Sequence, residues 1–96
     1  MAELRLISDH ERQLKPLVEA ALENELRLLE AGINRTQQNM CKFEEKFHLS
    51  TLEFIGRYEN DEMEETMDYA EWIGEHRMLE RLREKAETLR GIRFAN

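Results

Sequence analysis

Loop-building and cross-linking residues are scarce in this 96-residue chain, which has four glycines, one proline and one cysteine. So few turn formers exclude an all-β fold, which needs a turn signal about every 8 to 12 residues. The single cysteine, Cys41, rules out an internal disulfide framework and any zinc site built on several thiolates. No apolar run approaches the roughly 18 residues of a membrane span, and Met1 to Ser8 lacks the basic flank and apolar stretch of a signal peptide. The expectation is no membrane association and a cytoplasmic location. Positive charge is also short, with 14 Lys+Arg against 21 Asp+Glu and a net charge of -7. Direct binding to nucleic acid is not expected, because phosphate contacts need a net basic face.

Helical periodicity is what the chain has in abundance. From Leu17 onward, Leu22, Leu26, Leu29, Ile33, Met40, Phe43 and Phe47 follow one another at steps of three and four, with Thr36 in the one polar slot. That is a seam of about four heptads, with charged and amide side chains between. Ser8-Asp9-His10-Glu11 has the form of a capping box and predicts a helix start near residue 9. Pro16 predicts that the main helix begins beside it or kinks just before it. Gly32 marks a bend or the close approach of another helix. The helix should stop near His48, because Ser50-Thr51-Leu52-Glu53 repeats the capping pattern.

A short helix over 51–58 is expected to turn Leu52, Ile55 and Phe54 inward. Asn60 or Asp61 is expected to cap a last helix over 61–90, acidic at its start and basic at its end, as the helix dipole favours. Its inward stripe reads Met63, Met67, Ala70, Ile73, Leu79, Leu82, Ala86 and Leu89, with Trp72 and Met78 at the edges. Gly91 followed by Ile92 reads as a left-handed stop. The alternating ends Glu3-Leu4-Arg5-Leu6 and Ile92-Arg93-Phe94 admit a small strand pair. The fold class is therefore all-α: one domain over 1–96, an antiparallel long-helix hairpin with a short helical corner. A seam about 45 Å long is too much for one thin chain to bury, which predicts a dimeric four-helix bundle or coiled coil, or a higher homo-oligomer.

No pattern for catalysis or a cofactor is present: there is no glycine-rich phosphate loop and no nucleophile elbow, and Cys41 and His48 stand two helical turns apart. The chain is not expected to be an enzyme or to hold a cofactor. The weak metal candidates are Glu45 and His48, a Glu-x-x-His step that in a dimer could meet its own copy. Charge distribution is more telling. Between Arg57 and Arg77 there is no lysine or arginine, while Glu59, Asp61, Glu62, Glu64, Glu65, Asp68, Glu71 and Glu75 supply eight negatives. Six of the seven aromatic residues lie between Phe43 and Trp72. Phe54, Tyr58, Glu62, Glu65, Asp68, Tyr69 and Trp72 are thus the candidate partner-binding residues, an acidic aromatic corner for a basic protein. The same rings could equally close the bundle as core.

The run Ser50-Thr51-Leu52-Glu53-Phe54, Arg57-Tyr58-Glu59, Glu62 and Asp68-Tyr69-Ala70-Glu71-Trp72 resembles a pattern in short bacterial and archaeal helical proteins, mostly uncharacterised. The likeness extends over about 17–91 and is specific over 50–72. Asn60 stands where a glycine is common, and Met63 and Glu64 interrupt the acidic step. Some of those proteins resemble antitoxins of toxin-antitoxin cassettes, and the resemblance implies a non-enzymatic, acidic protein-binding module of that kind. The rival expectations are a ferritin-like metal protein and a purely structural coiled-coil adaptor.

Overall fold

A computed structural model describes residues 3–4 and 11–94, with side chains placed over 14–92. In chain order it comprises strand β1 (Glu3–Leu4), helices α1 (Glu11–Phe47), α2 (Thr51–Glu59) and α3 (Met67–Arg90), and strand β2 (Arg93–Phe94). α1 and α3 pack along one another as an antiparallel hairpin. The two strands form one short parallel pair, Glu3 opposite Arg93 and Leu4 opposite Phe94, where the alternating ends allowed one. Ser8, Asp9 and His10 of the expected capping box lie outside the described residues. Among the described residues, no helix is long and apolar enough to cross a membrane.

The seam read from the sequence is the inner face of α1. Leu29, Thr36 and Met40 are buried on it, and Leu22, Leu26, Ile33, Phe43 and Phe47 are half-buried. The polar slot is satisfied locally, because the Thr36 hydroxyl donates to the Gly32 carbonyl at 2.8 Å. Gly32 is a close-approach glycine: a Cβ there would stand 3.2 Å from Leu82 Cδ1 of α3. The main helix does not begin at Pro16 but five residues before it, so Pro16 lies beyond the first turn and has no N–H to offer the Arg12 carbonyl.

α1 and α2 end where expected, and backbone hydrogen bonding shows how, whereas the start of α3 and the form of its stop differ. α1 closes with His48 in the left-handed region (φ 52°) and the Leu49 N–H turned back to the Glu44 carbonyl at 3.3 Å. α2 closes the same way: Asp61 has φ 56°, its N–H reaches the Tyr58 carbonyl, and the Glu62 N–H reaches the Arg57 carbonyl at 2.9 Å. These six-to-one bonds are Schellman closures in which histidine and aspartate occupy the usual glycine position. Since Asn60 and Asp61 terminate α2, they cannot cap α3. The cap is Thr66, whose extended backbone lets its Oγ1 accept from the Tyr69 N–H at 3.1 Å. α3 therefore starts at Met67, not at 61. Gly91 is not a left-handed stop either: its φ of -83° is right-handed.

The expected stripe holds at Ile73, Leu79, Leu82, Ala86 and Leu89, all buried or half-buried, and fails in the first turns of α3. Met67 and Met78 are exposed, at 78% and 46%, and Ala70 faces solvent. Trp72, expected at the edge, is completely buried at the centre, with Ile73, Leu79 and Ala86 buried along the same side. On α2, Phe54 is fully buried and Ile55 half-buried, whereas Leu52 points outward at 79% exposure.

The result is thin and long, with extents of 58 × 22 × 17 Å and a radius of gyration of 18.9 Å. A compact chain of this length would have a radius near 12.5 Å, by the usual scaling of about 2.2·N^0.38 Å. α1, 37 residues against 24 in α3, outruns its partner by roughly 20 Å at about 1.5 Å per residue.

Candidate functional site

The core is concentrated at the closed end of the hairpin, where all three helices meet. Phe54 and Trp72 stack face to face with centroids 4.0 Å apart and planes 7° from parallel. Phe43 and Phe47 of α1 lie against Trp72 at 5.7 and 5.8 Å, and Tyr69 bridges Phe47 and Phe54 at 5.0 and 5.3 Å. Tyr58 extends the cluster from Phe54 at 5.8 Å. Such pairs contribute about 0.5–1.5 kcal/mol each beyond area burial.

A polar chain threads this knot. The Trp72 Nε1–H donates to Thr51 Oγ1 at 3.0 Å, and the Thr51 backbone N–H donates to Glu44 Oε2 at 2.7 Å. Glu44 of α1, Thr51 of α2 and Trp72 of α3 thereby fix the relative positions of the three helices. Ser50 Oγ completes the α2 start by accepting from the Glu53 N–H at 3.2 Å. Sequence reasoning did not single out Thr51 or Glu44. The signal available was only partial: Thr51 follows the capping serine, but a bond between different helices leaves no periodic trace.

Seven residues were expected to form a partner surface, and the structure divides them. Phe54 and Trp72 have no exposed area, so they are corrected from interface to core; their stacking encloses them within a single chain. Tyr58 and Tyr69 are half-buried, with part of each ring at the surface. Asp68 is engaged within the chain, accepting from Lys46 Nζ at 2.6 Å. Glu62 and Glu65 are exposed, as are Glu59, Asp61 and Glu64, and none of the five belongs to an ion pair among the described residues. The acidic residues expected in the first turns of α3 instead form the loop between α2 and α3, an unpaired anionic rim around the aromatic knot.

Glu45 is exposed on α1, and His48 is exposed just past its end with a left-handed backbone. Among the described residues, no group of three or more histidine, cysteine or acidic side chains is placed to hold a metal ion. Cys41 is exposed and free, on the wall of an open groove of about 490 Å³ that Met40, Leu52, His76, Leu79 and Arg83 also line.

No family model matches this chain, and no curated protein and no solved structure is found similar to it.

Proposed function

We propose that this protein is a non-enzymatic, cytoplasmic protein-binding module that takes a basic partner on the acidic loop between α2 and α3, in the manner of the antitoxins that its 50–72 pattern resembles. The observation that carries this reading is the set of five exposed carboxylates at 59–65, unpaired among the described residues, that runs from the last residue of α2 through its Schellman closure to the Thr66 cap. An anionic loop fixed at both ends gives up little conformational freedom on binding and steers a cationic surface toward it. Tyr58 and Tyr69 supply amphipathic contact area at its base, while Phe54 and Trp72 hold the platform rigid.

Co-purification with the product of the neighbouring gene tests the antitoxin form. A stable complex that weakens with rising salt, and weakens further for Glu62→Lys with Glu65→Lys, is the expected result. The reading is refuted if no complex forms at micromolar concentration and the neighbouring product is harmless when expressed alone. The elongated shape supports a second reading, a structural coiled-coil adaptor, for which the same charge reversals leave function unchanged. Either role is compatible with homo-oligomerisation. The accessible surface is 7775 Å², about 2,000 Å² above the roughly 5,800 Å² of a compact folded chain of this mass.

A further inference from the structure

Gly74 has no explanation within one chain. It sits inside α3, where a glycine costs about 1 kcal/mol against alanine, yet a Cβ there would meet nothing within 4 Å. Among the described residues, no turn, close contact or positive φ requires it. The residues that share its face form a regular series. Met67, Glu71, Gly74, Met78, Arg81 and Lys85 follow one another at alternating steps of four and three, and all six are exposed. This is a second seam on the outside of α3, separate from the core side that carries Trp72, Ile73 and Leu79.

The stripe is also self-complementary when reversed. Glu71 and Arg81 stand equally far on either side of residue 76, as do Gly74 and Met78, and Met67 and Lys85. Neither Glu71 nor Arg81 is in an ion pair among the described residues. We propose that two copies pair side by side and antiparallel through this stripe, about a twofold axis near His76, with Met78 lying over the partner's Gly74 and Glu71 facing the partner's Arg81.

This inference rests on the self-association part of the reading above and adds its face and register. An isologous contact repeats every pairing twice, so one glycine and one methionine per copy make two knob-and-hole contacts, and one acid and one base make two ion pairs. The Met67 side chain lies alongside the aliphatic stem of the partner's Lys85. Glu75 and Arg77 meet their own copies only at the rim, where solvent screens like charges. The surface in excess of a compact chain, about 2,000 Å², exceeds the roughly 800 Å² per partner that a stable interface removes.

Charge exchange tests both face and register. Analytical ultracentrifugation of wild-type protein, Glu71→Arg, Arg81→Glu and their equimolar mixture is expected to show a wild-type dimer and single variants weakened at least about tenfold. The mixture recovers dimer, because each variant's reversed charge then faces its opposite. Gly74→Gln fills the space for the partner's Met78 and is expected to weaken pairing while circular dichroism shows intact helices. A wild-type chain that remains monomeric at about 100 µM overturns the self-association reading and this inference together. A dimer insensitive to all three substitutions, or single variants that the mixture does not rescue, overturns the stripe and leaves self-association standing.

Discussion

Thr51→Val removes one oxygen from the polar chain that joins the three helices and leaves almost everything else in place. The backbone N–H still donates to Glu44 Oε2, since that bond does not involve the side chain. The Trp72 Nε1–H, in a residue with no exposed area, loses its acceptor at 3.0 Å and finds no water in exchange. A buried donor left unpaired costs about 1–3 kcal/mol. Unfolding entropy for a chain of this size is near 200 cal/mol/K, so this equals a fall in Tm of roughly 5–15 °C. Trp72→Phe removes the donor instead, and in that background the threonine oxygen has little left to stabilise. The Thr51→Val penalty should therefore shrink by about 1 kcal/mol, the coupling expected of residues in direct contact. Urea unfolding followed by circular dichroism at one fixed protein concentration measures all four corners of the cycle, with any self-association held constant. A Thr51→Val cost below about 0.3 kcal/mol, or the same cost with tryptophan and with phenylalanine at 72, refutes the reasoning.

Four further predictions concern helix ends and helix contacts. His48→Gly and Asp61→Gly relieve the left-handed backbone at each Schellman closure and should raise stability by about 0.5–1 kcal/mol each, additively in the double variant by thermal melting. Gly56→Ala, with open space at its Cβ, should raise stability by up to about 1 kcal/mol. Gly32→Val, pressed against Leu82, should instead lower it by about 1–3 kcal/mol. Glu44→Ala is expected to cost about 0.5–2 kcal/mol by freeing the Thr51 N–H, and Glu44→Gln less, because the amide oxygen still accepts; equal losses for the two would contradict this.

The resemblance between the expected and observed molecule is closest on α1. Its seam from Leu22 to Phe47 and the break before Ser50 were legible because a long helix repeats its inward positions many times, so one misread residue does not shift the rest. The second half was less so. Where α3 begins was decided by two hydrogen bonds that turn the end of α2 back on itself through Asp61. From Ile73 onward the expected stripe holds, but in the first turns of α3 the inward positions are Tyr69 and Trp72, not Met67 and Ala70, because α1 and α2 rings converge on Trp72 there.

The candidate site divides along the same line. The sequence by itself determined that acid and aromatic residues are concentrated in one corner, because composition along a chain does not depend on folding. Only the tertiary structure decided which rings are enclosed and which carboxylates stay free. Phe54 and Trp72 became core because three helices converge on them and Thr51 satisfies the indole N–H, while Glu62 and Glu65 remained exposed in a loop that no other described element covers. Burial and pairing arise from residues far apart in the chain, and no local pattern records them.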